Sequence, residues 1–272
     1  MSSEGWRLLR PGAGPGLLAV DFTPAQARAG AGFTDLARLL PEPYPVWGTE
    51  ETGWRDVAAA SVDCPAGGVD LWLDRDLPVS GGTAGILGYC AGGTLARALA
   101  RRLADRDGVT PAVVLFDPAE VTAETLYDQF GTALDGLAAA LPAAEVRTAR
   151  EAAREEVRAQ PDLSRLAGRL SDRYAALARP ACAGQGVPLS IADQLCSRID
   201  TYLRYLLLSA AAPPDGPGPA LVVLSAGHEP PPIPGADRQV RLDVPAPELL
   251  ADLRAADLAG RALVAEPLAG RS

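Results

Sequence analysis

The chain has 272 residues, 48% of them hydrophobic and 22% charged, and carries a formal charge of −9 with a pI near 4.7. That length accommodates one α/β domain with an insertion, or two small domains, around a sizeable core. The acidic balance argues against a nucleic-acid surface, and all 25 basic residues are arginine, which excludes Schiff-base lysine chemistry and a phosphate-loop lysine.

The start, MSSEGWRLLRPGAGPG, lacks the apolar core of a signal peptide, and no run of 18 apolar residues offers a membrane span. A cytoplasmic chain with reduced thiols is expected. Cys64, Cys90, Cys182 and Cys196 fall at irregular spacing without a C-x-x-C pair, and there is one histidine. No metal site and no cofactor is expected from so few ligands.

In chain order, GLLAVDF (16–22) reads as a buried strand, FTDLARLL (33–40) has helical spacing, and PVWGTE (45–50) is a second strand. TAGILGY (83–89) and PAVVLFD (111–117) are further strands. Between them Leu95, Leu99 and Leu103 mark the buried face of a helix, completing a βαβ unit with parallel pairing. The middle is rich in Ala, Leu, Arg and Glu. It predicts four helices, over 122–141, 145–160, 163–178 and 190–210, with Pro142, Pro161 and Pro188 at the breaks. Ser190 followed by Asp193 gives a capping-box signal, and REAAREE (150–156) reads as a solvated face. After the stiff PPDGPGP connector (213–219), ALVVLSAG (220–227) and QVRLDVP (239–245) return to strand character, before a closing helix in 247–263. The simplest assembly is α/β: a mostly parallel sheet from 1–118 and 212–272, with 119–211 a helical insertion covering the carboxyl edge of the strands.

Residues 88–92, GYCAG, place Cys90 between a strand and a helix. With serine in the centre, G-x-C-x-G would be the nucleophile elbow of α/β-hydrolases, and it reads here as that elbow with cysteine in the serine position. Glycines flank such a turn because it packs against neighbouring backbone. The N–H of the next residue, Ala91, then points at a developing oxyanion. The helix beginning near Gly92 aims its positive end at the thiolate and would lower a thiol pKa from ~8.5. The bland alternative is a small hydrophobe in an ordinary glycine-rich turn; a nucleotide-binding loop is disfavoured by the missing G-K-[ST].

The stretch GYCAGGTLARALARRL…PAVVLFDP resembles the α/β-hydrolase-fold thioesterases of polyketide and nonribosomal-peptide assembly lines. The likeness spans residues from about 16 to 263. It implies that Asp117, 27 positions beyond Cys90, is the triad acid, whereas a helix N-cap or Asp-Pro turn is its bland reading. It also implies that the insertion is a lid, and that the partner is an acyl or peptidyl carrier protein presenting a phosphopantetheine thioester. No nucleic acid and no membrane enters this scheme. The family's histidine follows the last strand, where VRLDVPAPELL has Ala246. That departure is either a natural loss or an inactivating substitution. The one imidazole, His228 in LSAGHEPPP, follows the preceding strand and is the candidate base; its bland reading is a surface histidine on a proline-rich loop.

A cysteine nucleophile keeps the acyl-enzyme a thioester, which carbon and nitrogen nucleophiles attack readily. The chain is similar in this to stand-alone cyclases that close tetramic acids by Dieckmann condensation. Ring-forming release is therefore the expected activity, with a hydrolytic editing thioesterase or a non-catalytic, degenerate hydrolase-fold binding protein as alternatives. The backbone N–H of Phe22 or Thr23 is the second oxyanion donor expected. Tyr89, Tyr127, Phe130, Tyr202 and Tyr205 are candidate pocket residues, though aromatics at helical spacing also simply pack. Cys64, Cys182 and Cys196 read as buried small residues.

Overall fold

The computed structural model describes residues 2–3, 5–22, 30–60, 65–79, 81–159, 162–213, 216, 220–236 and 238–264. Eight strands are described: β1 (Ser2–Ser3), β2 (Trp6–Arg10), β3 (Gly16–Val20), β4 (Val46–Thr49), β5 (Thr83–Tyr89), β6 (Ala112–Phe116), β7 (Ala220–Leu224) and β8 (Arg238–Arg241). They form one sheet in the order β1-β2-β4-β3-β5-β6-β7-β8. β4 through β8 run parallel; β1 and β2 pair antiparallel at one edge. This is an α/β-hydrolase-like sheet.

Nine helices accompany it among the described residues: α1 (Phe33–Leu39), α2 (Glu51–Ala60), α3 (Pro65–Leu73), α4 (Gly92–Asp107), α5 (Ala123–Asp135), α6 (Ala143–Ala159), α7 (Leu163–Gly184), α8 (Leu189–Ala211) and α9 (Leu253–Val264). The chain divides into two compact units. One holds 1–57, 69–120 and 211–272, and the other holds 58–68 and 121–210.

In the sheet unit, strand alternation sorts the core onto two faces. Leu17, Ala19, Leu87, Val114, Phe116, Leu221 and Val223 join α1 and α9 in one buried cluster. Their neighbours face the other way: a Cβ on Gly88 would meet α4 at Gly93 and Ala96, and Leu115 lies beside Gly93. Central strands buried on both faces read as continuous apolar runs, which is why GLLAV, GIL and VVLF stand out in the sequence. β1, β2, α2 and α3 are not among the expected elements. They gather Trp6, Trp54 and Trp72 into a stack with ring centroids 6.3 and 5.0 Å apart.

The helical unit differs from expectation in detail. α5 stops at Asp135 rather than 141: the Gly136 N–H bonds back to the Leu134 and Thr132 carbonyls, and the Leu137 and Ala138 N–H groups then reach only three residues back, to Leu134 and Asp135, tightening the chain into turns. α7 continues through Pro180 to Gly184, keeping Ala181 and Cys182 buried. The Ser190 cap does not form: α8 begins one residue earlier, and the Pro188 carbonyl takes the Ile191 and Ala192 N–H groups. Asp193 instead pairs with Arg179 at 2.9 Å. REAAREE is more than a solvated face, since Arg150 bonds Asp135 and the Gly131 carbonyl on α5, while Glu156 pairs with Arg173 on α7. No helix among the described residues is long and apolar enough to cross a membrane.

Candidate active site

β5 ends at Tyr89 and α4 starts at Gly92, so Cys90 and Ala91 alone turn the chain from strand to helix. Cys90 has φ 51° and Asp117 has φ 41°; among the described residues they are the only non-glycine residues with positive φ. That conformation costs an L-residue roughly 1–2 kcal/mol and persists only where its surroundings dictate it.

Three backbone bonds hold the bend. Cys90 N–H donates to the Phe116 carbonyl at 3.0 Å, extending the β5–β6 ladder by one rung. The Cys90 carbonyl accepts from Gly93 at 3.1 Å and from Ala119 at 3.3 Å. Gly88 is required by contact: a Cβ there would stand 2.8 Å from Gly93 Cα and 2.9 Å from Ala96 Cβ. Cys90 is half-buried and a thiol, Tyr89 is half-buried, and Ala91 is buried at the foot of α4.

Tyr89 and Phe116 are register partners on adjacent parallel strands, so Cys90 and Asp117 stand side by side, one residue past the strand ends. Asp117 is buried; its N–H donates to the Val223 carbonyl at 3.0 Å. Its Oδ1 accepts the Ser225 N–H at 2.8 Å, whereas its buried Oδ2 accepts nothing among the described residues. His228, half-buried on the loop after β7, has Nε2 3.1 Å from the Pro118 carbonyl oxygen. A carbonyl only accepts, so Nε2 carries a proton in this bond, and in the neutral tautomer that makes this bond the lone pair lies on Nδ1. His228 is therefore brought beside the acid-bearing turn without being bonded to Asp117 Oδ2.

At the end of β3, Asp21 N–H donates to Thr49 Oγ1, and the Asp21 carbonyl accepts from that hydroxyl and from Trp54 Nε1 at 3.2 Å. Phe22 is buried beside it; Thr23, like Cys64, lies outside the described residues. Ala246 is exposed and opens a 3-10 turn, Ala246–Ala251, after β8. The adjoining Pro247 carbonyl accepts Ala31 N–H at 2.7 Å. The Trp54–Thr49–Asp21 support was invisible in the sequence because its three members come from separate elements with no shared motif.

The remaining aromatic candidates belong to the helical unit. Tyr127 lies under the Arg154 guanidinium at 3.8 Å, Phe130 is fully buried, and Tyr202 stacks on Tyr205 with centroids 6.1 Å apart. Cys182 and Cys196 are buried thiols there; burial raises the Cys196 pKa and pushes Tyr174 up to about 12. A groove of about 610 Å³ runs between α6 and α7, along Ala149, Arg173, Ala176 and Leu177, and none of the predicted site residues lines it. Among the described residues no cluster of three or more His, Cys, Asp or Glu is arranged to hold a metal.

No protein-family model and no curated protein matches the chain. Solved structures do. The chain is similar to holo-AB3403, a four-domain nonribosomal peptide synthetase crystallised with AMP and glycine. The TM-score is 0.50 at 15% identity, over 94% of this chain and 20% of that one. It thus spans about a fifth of the synthetase. It is also similar to the wild-type Vlm2 thioesterase domain (TM-score 0.46, 19% identity, 94% and 96% of the two chains). A third likeness is to the enol-lactonase of Burkholderia xenovorans LB400 (TM-score 0.44, 17% identity, 95% and 94%). At these identities the likeness is one of fold.

Proposed function

We propose that this chain is a thioesterase-type enzyme that takes a polyketide or peptide acyl chain from a carrier protein onto Cys90 and releases it by Dieckmann-type cyclisation to a tetramic acid. The observation that carries the reading is the left-handed backbone at Cys90, one residue from the first turn of α4, beside an equally strained Asp117. The fold shared with a peptide synthetase and a thioesterase domain supports the choice of a carrier-bound thioester.

In the first step Cys90 Sγ attacks the thioester carbonyl. The bond to the carrier arm breaks, and its thiol leaves with the proton lost by Cys90. The Ala91 N–H and an amide of the Phe22–Thr23 segment hold the oxyanion. In the second step an acidic methylene of the acyl chain loses its proton to His228. Its carbon attacks the Cys90 thioester, the ring bond forms, and the expelled thiolate regains a proton. Asp117, on the turn whose Pro118 carbonyl holds the His228 ring, polarises that base.

A second reading, a binding protein on a degenerate hydrolase fold, is favoured by one observation: the position expected for the triad histidine is the exposed Ala246. Intact-protein mass after incubation with a β-ketoacyl-aminoacyl N-acetylcysteamine thioester separates the two. An adduct on the wild type, absent from Cys90→Ala, with ring product exceeding free acid, is expected. Free acid as the only enzyme-dependent product replaces the cyclase with a hydrolase. No adduct, on a thiol that iodoacetamide still labels, leaves the binding protein.

A further inference from the structure

We propose that Arg241 is a positioning residue for His228: it clamps the loop after β7 so that the ring gives its Nε2 proton to the Pro118 carbonyl and keeps Nδ1 as the proton acceptor of the site. The inference rests on the reading of Cys90 as an acyl carrier only for its kinetic consequence; the geometry stands apart from it.

Arg241 ends β8, and a single guanidinium nitrogen, Nη1, reaches two carbonyl oxygens of the neighbouring loop: Ser225 at 3.0 Å and His228 at 2.6 Å. Nη2 lies 3.5 Å from Glu229 Oε1. The loop is tied further by Ala226 N–H to the Val244 carbonyl at 2.8 Å. Both functional ends of this loop meet the Asp117 turn. Ser225 N–H holds Asp117 Oδ1, and three residues later the His228 ring sits on the Pro118 carbonyl. One cation therefore fixes the spacing between the donor that holds the acid and the ring that serves as base.

The clamp compensates for what the orthodox arrangement lacks. A triad histidine is oriented by its carboxylate. Asp117 Oδ2 accepts nothing among the described residues, so the His228 tautomer is set instead by a backbone carbonyl and the loop geometry behind it. A carbonyl orients an imidazole as a carboxylate does, without stabilising the imidazolium as strongly. Release through such a base should be slower than through a full triad.

His228 is the one histidine of the chain, so the ring nitrogens of untagged, ¹⁵N-labelled protein give an unambiguous long-range ¹H–¹⁵N spectrum. At a pH where the ring is neutral, the wild type is expected to show the Nε2–H tautomer. Arg241→Ala should give a tautomer mixture, and Arg241→Lys should keep the wild-type pattern. The Arg241 side chain is 41% exposed, so its truncation leaves no buried hole. With the N-acetylcysteamine thioester, Arg241→Ala should lower kcat for acyl release about tenfold with KM unchanged within twofold. Arg241→Lys should recover most of that loss, and His228→Gln should lower kcat about a hundredfold. An Nδ1–H tautomer in the wild type overturns the proposal, and so does an Arg241→Ala protein with unaltered tautomer and kcat. If no acyl chain loads onto Cys90 the parent reading fails, and the spectra still decide whether Arg241 sets the ring.

Discussion

Ser225 donates its backbone N–H to Asp117 Oδ1 at 2.8 Å, a buried bond between residues 108 positions apart. It anchors one carboxylate oxygen and leaves the other turned to the interior. Asparagine at 117 keeps the acceptor and tolerates positive φ; alanine does neither. A buried N–H left without a partner costs about 1–3 kcal/mol. Asp117→Ala should therefore lower the unfolding free energy in urea by about 2 kcal/mol, and Asp117→Asn by about 1 or less. Equal losses would show that this bond does not hold the carboxylate.

Cys90 pays for its presentation in backbone strain. Glycine relieves a positive φ, worth roughly 1–2 kcal/mol, while giving back about 0.5–1 in chain entropy. Cys90→Gly should thus be more stable than Cys90→Ala by about 1 kcal/mol, the reverse of the order in an ordinary helix or strand. Both should be inert toward the acyl thioester. An alanine variant as stable as the glycine variant, in matched urea titrations, would contradict a strained elbow.

Gly88 and Gly93 flank the same bend but differ in room. A Cβ on Gly88 meets Gly93 Cα at 2.8 Å, whereas one on Gly93 finds Pro118 Cβ at 3.4 Å. Gly88→Ala must displace β5 from α4 and should cost about 1–3 kcal/mol while slowing Cys90 alkylation. Gly93→Ala, at a helical position with ordinary contact, should change stability by less than about 1 kcal/mol. Thermal melts alongside iodoacetamide labelling rates test the contrast.

What was legible in the sequence follows from where each signal originates. β3, β5, β6 and β7 are buried on both faces and announce themselves as apolar runs; Thr83–Tyr89 matches its expected bounds residue for residue. β2, with the sequence WRLLR, sits toward the antiparallel edge and buries little beyond Trp6, so its pattern carries no clear period. α2 and α3 contain Gly53, Gly67 and Gly68, which mask helical character. The bends at Cys90 and Asp117 were legible because a tight strand-to-helix turn imposes glycines at fixed offsets and a strand end imposes a boundary. Arg241 and Trp54 were not, because they act by hydrogen bonds to main-chain carbonyls far along the chain, and a carbonyl leaves no trace in residue type.

The 3-10 turn that carries Ala246 runs into α9 through Asp252, whose Oδ1 accepts the N–H of Arg254 at 2.7 Å and of Ala255 at 3.3 Å. The side-chain bond from Arg254, with those N–H groups, holds the Asp252 carboxyl below its usual pKa. A depressed carboxyl pKa contributes stability that is full above the unfolded value, near 3.9, and is lost as the pH falls through the folded value. Asp252→Ala should cost about 1 kcal/mol at pH 7. The difference between wild type and variant should shrink as unfolding is measured below about pH 4. A gap that stays constant into acid would mean that the charge of the cap contributes nothing.

Ala246 offers the sharpest test of the site itself. It is exposed, Pro245 precedes it, and Pro247 pins the turn by accepting the Ala31 N–H, so a side chain placed there would start from a fixed backbone. Replacing an exposed alanine should change stability by no more than about 0.5 kcal/mol. If the position belongs to a triad, the imidazole of Ala246→His can use Asp117 Oδ2, which accepts nothing among the described residues, as its orienting acceptor. Acyl release from Cys90 should then accelerate about 10- to 100-fold and lose its sensitivity to His228→Gln. The product ratio should shift toward free acid, because a stronger base also activates water. A variant that folds, loads the acyl chain and releases it at the wild-type rate would remove Ala246 from the proposed catalytic geometry.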